Sequence, residues 1–383
     1  MKFNVKSKTF YSYVSAVSKV INSKNALTVL NNFLLELKGD VLSITASDVE
    51  NRLIAQLTVS NAEGEGKYCV DARRLVDLLK EMPDQGITFE INDATLESEI
   101  DYSNGTFQFV AVRGDEYPEP AKEQEDGAEA SAPVEPIVFK MPAERIVTAI
   151  ENTIFAASTD DFRPQMMGIL WDIKPDKLVF VTTDTRRLVC YTDKTVAAGI
   201  EASFILPSKP ANILKNILHD DEEVEVTVGP KSVSFKTASM SLTSQLIKGR
   251  FPDYTRVIPQ YNPYTLTVDR LAFMSAVRRV GVFVDPSHGL VRFKVSPDNI
   301  QMKTVDANYN TKGQEAVPCQ FDGQELVIGF SAPYLVDIMG VLSSPEINIY
   351  LSDQGRPGII RPSEENPDTE TIMLLMPMNV QEF

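Results

Sequence analysis

The chain has 383 residues, 43% of them apolar and 23% charged, with 37 Lys and Arg against 53 Asp and Glu for a net charge of −16. That length predicts two or three domains, each able to bury its own core, and the composition excludes a disordered or collagen-like chain. No apolar run reaches the roughly 18 residues of a membrane helix, and Met1–Phe10 lacks a secretory-signal pattern. Three widely spaced cysteines, Cys69, Cys190 and Cys319, predict free thiols in a cytoplasmic protein and neither a disulfide framework nor a zinc site.

In chain order, a first amphipathic helix falls at Lys8–Ile21 and an alternating strand bounded by Asp at both ends at Asp40–Asp48. A second helix at Asp71–Met82 precedes a strand at Ile87–Ile91. Asp115–Glu135 then holds eight acids and one base, net −7, in a Pro/Ala/Glu-rich stretch that reads as a solvated linker. The same succession returns as Pro142–Ala157, Asp176–Asp184, Ser208–Leu218 and Val224–Val228. It returns again as Asp269–Phe283, Asp298–Asp306, Ser331–Leu342 and Ile347–Leu351. The three Asp-bounded strands align without gaps. Asp71, Ser208 and Ser331 stand where helix N-caps belong, with Pro210 and Pro333 in the first turn.

These marks at one spacing predict three copies of one α+β module, each with two helices and about eight strands, joined head to tail. The expected limits are 1–120, an acidic linker at 121–135, 136–260 and 261–383. Modules edged by strands either leave those edges open or close into a ring. Closure would put all helices on one wall, inner or outer.

Bases favour the helices. Asp71–Met82 carries Arg73, Arg74 and Lys80, Ser208–Leu218 carries Lys209 and Lys215, and Asp269–Phe283 carries Arg270, Arg278 and Arg279. On one helix such charges are ordinary solvation; across three copies they predict a basic wall able to neutralise phosphates without reading bases. Because the linker holds nearly half of the excess acid, overall acidity does not argue against a local DNA surface.

Nothing predicts catalysis, a metal or a cofactor. The phosphate-loop, nucleophile-elbow, dinucleotide and zinc-protease motifs are absent, and only two histidines, His219 and His288, occur. His219 beside Asp220 and Asp221 could bind a cation, but a helix end turning through acids is the simpler reading. Asp40 with Asp48, and their repeats, read as turn residues and not as paired catalytic carboxylates. At the C-terminus, Ile372–Leu374 suits a last core strand, while Met376, Pro377 and Met378 are harder to bury and suit adaptable docking.

The segments Met1-Lys-Phe3, Leu27-Thr-Val-Leu-Asn-Asn32, Thr183-Asp-Thr-Arg-Arg-Leu188, Gly249-Arg-Phe-Pro-Asp-Tyr254, Gly329-Phe330, Tyr334-Leu-Val-Asp337 and Leu375-Met-Pro-Met378 together resemble the bacterial DNA polymerase III beta subunits, the sliding clamps. The likeness runs the whole chain. It implies the DNA clamp fold: a head-to-tail homodimeric ring around double-stranded DNA, helices inside and sheets outside. Such a ring confers processivity on the replicative polymerase in the cytoplasm, at the nucleoid during replication, with no catalysis and no membrane partner. The implied partners are the replicative polymerase subunit, a clamp loader, and other polymerases and repair proteins carrying clamp-binding peptides.

Matching positions imply a peptide groove. Its apolar members are Met166, Leu188, Pro252, Val257, Leu374, Leu375, Met376, Pro377 and Met378. The polar ones are Thr183, Thr185, Arg187, Arg256, His288, Ser331 and Tyr334, with Arg187 and Arg256 expected to hold the peptide's polar atoms. Lys24, Arg73 and Lys209 match DNA contacts, whereas Arg74, Lys215, Arg278 and Arg279 rest on the charge argument. The ring interface is expected to set Gly105–Val112, with Phe109, against Val277–Phe283, with Val282 and Phe283. Thr185-Arg186 replaces the family's Gly-His pair, and Asn379-Val380 its terminal Arg-Leu pair. The competing readings are a repeat scaffold that binds peptides without DNA, and a nuclease or other hydrolase using Asp184 or the acidic cluster.

Overall fold

The computed structural model describes residues 1–22, 25, 27–119, 136–285, 289–306, 311–364, 366–380 and 383. They form two compact units, Met1–Ile146 with Lys209–Leu246, and Val147–Ser208 with Ile247–Phe383. Lys24, His288 and most of the acidic linker lie outside the described residues. The linker's first residues belong to the folded part instead, because Tyr117 is buried with Leu30, Leu34 and Cys69.

Six α-helices are described: α1 Ser7–Ser18, α2 Ala72–Glu81, α3 Ala143–Thr153, α4 Ser208–Ile217, α5 Arg270–Gly281 and α6 Ala332–Val341. Each falls within an expected helix to about one turn. Asp71 caps α2 by accepting from the Arg74 amide at 2.7 Å, and Asp269 caps α5 by accepting from Ala272 at 2.7 Å. Ser331 makes no capping bond, and the Ser208 hydroxyl donates to the Met167 carbonyl at 2.7 Å. Here Pro333 in the first turn of α6 already removes one orphan N–H.

In the first unit, a five-stranded sheet runs Ser60–Glu63, Lys2–Lys6, Gly86–Ile91, Glu97–Tyr102, Gly105–Val110. Its inner face meets α1 through Phe3, Phe10 and Phe89, whose ring centroids lie 5.1–6.0 Å apart. Phe10, Val14 and Val17 of α1 and Leu75 and Leu79 of α2 are all buried, and the two helices pack side by side. A nine-stranded sheet completes the unit. It passes from first-repeat strands to second-repeat strands where Asn51–Thr58 pairs antiparallel with Met240–Gln245, Leu53 opposite Leu242.

The second unit repeats this device. Its nine-stranded sheet changes repeat where Arg187–Asp193 pairs with Thr369–Leu375, Leu188 opposite Leu374. Every residue of Arg187–Asp193 is buried, as a central strand covered on both faces requires. A four-stranded sheet, Thr311–Pro318, Asn299–Asp306, Leu290–Ser296, Leu326–Ser331, lies against α5 and α6 around a core that includes Phe273, Phe293 and Phe330. The sheets therefore cross the repeat boundaries: a strand edge that one repeat leaves open is paired by the next.

Among the described residues no helix is long and apolar enough to cross a membrane. All three cysteines are free thiols, and burial pushes Cys69 up to about 11, Cys190 to about 12 and Cys319 to about 11. Only Cys319 is partly exposed. At pH 8 a thiol-specific disulfide reagent is therefore expected to modify Cys319 first and slowly, and Cys69 and Cys190 only on denaturation, as followed by mass spectrometry.

Candidate functional site

The sequence Thr183–Leu188 turns a strand back on itself within the second unit. Asp184 Oδ1 accepts from the amides of Arg186 and Arg187, both at 2.9 Å, and Thr183 Oγ1 accepts from the Thr185 amide at 3.1 Å. Asp184 Oδ2 takes Arg187 Nε at 3.0 Å, so each carboxylate oxygen is held internally. That geometry makes it a turn residue and removes the basis for reading it as a hydrolytic acid. In the first unit Asp48 Oδ1 accepts from the amides of Glu50 and Asn51 in the same pattern.

Arg187 was expected to face a bound peptide. In the structure each of its three guanidinium nitrogens already donates within the chain. Beyond Asp184, Nη1 donates to Asp337 Oδ2 at 2.7 Å and Nη2 to the Phe155 carbonyl at 2.7 Å, and the group lies 4.4 Å from the Tyr334 ring centroid and 5.2 Å from that of Phe155. It ties strand Arg187–Asp193 to α6 and orients Tyr334. Sequence reasoning missed Asp337, although its place three residues after Tyr334 puts both on one helix face.

The face of the nine-stranded sheet carrying Leu188 and Leu374 builds an apolar floor with Leu170, Val181, Cys190 and Ile359. Phe251 is buried in it, and Ile247, Tyr254, Ile258 and Met376 pack on it half-buried. The Tyr254 hydroxyl donates to Asp172 Oδ2 at 2.8 Å; burial, then that bond, push its pKa well above the ordinary tyrosine range. Pro252 stays half-exposed, Val257 is 47% exposed, and Arg256 extends into solvent paired with Asp253 at 2.9 Å. Met166 is half-buried, its carbonyl accepting from the Ser158 amide at 2.9 Å.

Leu375 departs from the expected set. Strand residues alternate faces, and Leu375 belongs to the core on the α5–α6 side, with Phe273 and Leu335. The terminal segment is also better anchored than expected. The Met376 amide donates to the Arg186 carbonyl and the Met378 amide to the Gly329 carbonyl, both at 2.8 Å, and Val380 is buried. A Cβ on Gly329 would lie 2.6 Å from Val380 Cγ1, so only glycine admits this segment. Met376, Pro377 and Met378 stay half-exposed, Met376 packing beside Leu188 and Leu374; Ser331 is buried at the start of α6.

The helix cations divide. Arg74 and Arg278 are exposed and Lys215 is half-buried, with no ion-pair partner among the described residues. Arg73 lies 3.7 Å from Asp77 with both side chains in solvent, a weak pairing. Arg279 is taken up by Glu315. Lys209 corrects the expectation of a free phosphate contact. Its Nζ donates to the Val20 carbonyl and to Asp48 Oδ2, both at 2.6 Å, and to Asn22 Oδ1. Burial alone would raise the Asp48 pKa, but the hydrogen bonds from Lys209 and Asn51 outweigh it and hold the carboxyl below its usual value.

Among the described residues no group of His, Cys, Asp and Glu is arranged to hold a metal ion. His219 closes a turn, its carbonyl accepting from the Glu222 amide at 3.1 Å.

Family models of the DNA polymerase III beta subunit match this chain along its length. The N-terminal domain matches residues 1–120, the central domain 140–253 and the C-terminal domain 255–379. The beta sliding clamp of Pseudomonas aeruginosa is 24% identical over 382 residues, covering 99% of this chain and 100% of the relative. That of Synechococcus elongatus is 27% identical over 371 residues, covering 94% and 96%. The crystal structure of a sliding clamp from Bartonella birtlesii bound to griselimycin superposes with a TM-score of 0.89 at 27% identity, covering 99% of this chain and 100% of that one.

Arg187→Ala removes a buried guanidinium that joins Asp184, Asp337 and the Phe155 carbonyl, and leaves Asp184 without its cation. It is expected to cost roughly 3 kcal/mol in urea-unfolding free energy. Lys209→Ala leaves Asp48 buried without its cation and is expected to cost about 2 kcal/mol. Because Asp48 is depressed in the folded state, its contribution is present at neutral pH and is lost as pH falls below about 4. In Lys209→Ala the acid-unfolding transition, followed by circular dichroism, should therefore move to higher pH.

Proposed function

Because this chain belongs to the DNA polymerase III beta-subunit family, we propose that two copies close head to tail around double-stranded DNA, with modules at 1–120, 136–260 and 261–383. It is a sliding clamp, an accessory subunit of the replicative polymerase with no catalysis of its own. The observation that carries the closure is a pair of unsatisfied strand edges. Gly105–Val110 ends its sheet in the first unit, with Phe107 39% and Val110 72% exposed, and Phe109 rests against Phe89. Thr311–Pro318 ends its sheet in the second unit, and beside it stand Val282, 77% exposed, and Phe283, 43% exposed. Phe283 also covers Gly313 of that edge strand.

An exposed apolar strand edge invites a second strand. Each chain carries one edge of each kind, so pairing edge to edge is heterologous, and in the family's homodimeric ring it closes after two copies. This refines the expected interface. Val277 is fully buried in the core, so the strand partner for Gly105–Val110 is Thr311–Pro318, with Val282 and Phe283 flanking it.

In this reading Arg73, Arg74, Lys215 and Arg278 line the bore and neutralise phosphates, while Lys209 and Arg279 act first within the chain. Lys24 is assigned to DNA by its matching position alone. Non-specific phosphate contacts hold loosely, so retention comes from topology. The groove around Leu188, Leu374 and Met376 takes the hydrophobic peptides of the replicative polymerase, the clamp loader, and other polymerases and repair proteins. His288 enters that set by matching position. The protein acts in the cytoplasm, at the nucleoid during replication.

Protein loaded on closed circular DNA should stay bound through gel filtration and be lost once the DNA is linearised. Equal retention on both forms would remove the topological reading. Solution mass should be twice that of the chain. Arg73→Glu with Arg74→Glu should reduce loading while leaving that mass unchanged.

A further inference from the structure

We propose that Arg186 makes this groove select peptides bearing an acidic side chain, Asp or Glu, beside the hydrophobic anchor. The inference rests on the groove reading above and assigns it a specificity.

Arg186 sits at the one point where the turn, the groove and an uncommitted charge coincide. Thr185, the residue before it, has φ +75°, a left-handed conformation that a β-branched residue adopts only when its surroundings enforce it. The enforcing contacts are the Asp184 carboxylate on the amides of Arg186 and Arg187, and Thr183 Oγ1 on the Thr185 amide. The Arg186 carbonyl is fixed from the other side by the Met376 amide at 2.8 Å. Arg186 therefore leaves a rigid turn bonded directly to the groove wall, and its side chain is exposed with no ion-pair partner among the described residues.

The neighbouring acid cannot quench it. Asp184 is spent on Arg187 and on the turn amides. Across the apolar floor, Arg250 and Arg256 are also exposed, and both act on Asp253, the acid between them. The rim is thus locally cationic on a chain whose net charge is −16. Away from the rim, that net charge disfavours an acidic ligand, so a peptide joining an apolar anchor to a nearby carboxylate is matched only here. Arginine presents a planar fork suited to a carboxylate, and holding its backbone lowers the ordering cost of using it.

The test is fluorescence anisotropy on the full-length protein with two labelled peptides of one hydrophobic anchor, differing only in Glu or Gln beside it. The Glu peptide should bind about three- to fivefold tighter at low salt, as an exposed ion pair allows. That ratio should fall toward one at about 0.5 M NaCl. Arg186→Gln should equalise the two peptides, and Arg186→Glu should invert their order. Equal affinities for wild-type protein, or a preference that neither substitution changes, would overturn the inference. Met376→Ala separates it from the groove reading. If both peptides are lost in Met376→Ala while the wild-type preference ignores Arg186, only the Arg186 assignment falls; if both bind Met376→Ala as tightly as wild type, the groove itself lies elsewhere.

Discussion

The structure depends on the pairing of strand edges. A backbone edge with unpaired N–H and C=O groups must meet another strand, water or a side chain. In this chain each repeat leaves an edge that the next one covers. Asn51–Thr58 is met by Met240–Gln245, and Arg187–Asp193 by Thr369–Leu375. The sheets so formed are nine strands long and cross the covalent repeats. The closure proposed above extends the same rule from Thr311–Pro318 to the Gly105–Val110 of another copy.

Side-chain electrostatics reinforce each crossing at an equivalent place. The turn after the repeat strand carries Asp48 in one unit and Asp184 in the other, both capped by amides two and three residues on. In the first, Asp48 takes Lys209 from α4; in the second, Arg187 from the turn reaches Asp337 of α6. The sign of the charges is exchanged while the mechanical result is kept: a helix of the following repeat is fastened to the turn. The consequence for function is a division of labour among basic residues. Lys209, Arg187 and Arg279 are held by acids, whereas Arg74, Arg186 and Arg278 have no ion-pair partner among the described residues.

Much of the fold was legible because repeated period-two and helical patterns are local properties. The Asp-bounded strands and the Asp71 and Asp269 starts of α2 and α5 lie where their patterns place them, and Asp48 and Asp184, which close two of the strands, are turn residues. That Ser331 makes no capping bond was not legible, since whether a hydroxyl caps its own helix or bonds elsewhere depends on what packs nearby. For a similar reason the acidic run does not mark where the folded part ends. Tyr117 looks like part of an acidic run, yet Leu30, Leu34 and Cys69 bury it.

The candidate site divides along the same line. That Leu188, Leu374 and Met376 are apolar and that Arg186 carries a charge are facts of composition, and the resemblance to a family could group them. Their order along the chain, their alternation and their turn chemistry were set by the sequence alone, because those preferences act over a few bonds. Tertiary structure decided which face Leu375 occupies, that Arg187 and Lys209 are engaged by acids of the chain, and that Arg186 has no ion-pair partner among the described residues. Those outcomes turn on partners distant in sequence, Asp337 for Arg187 and Asp48 for Lys209, and a charge is free or spent only once its neighbours in space are known.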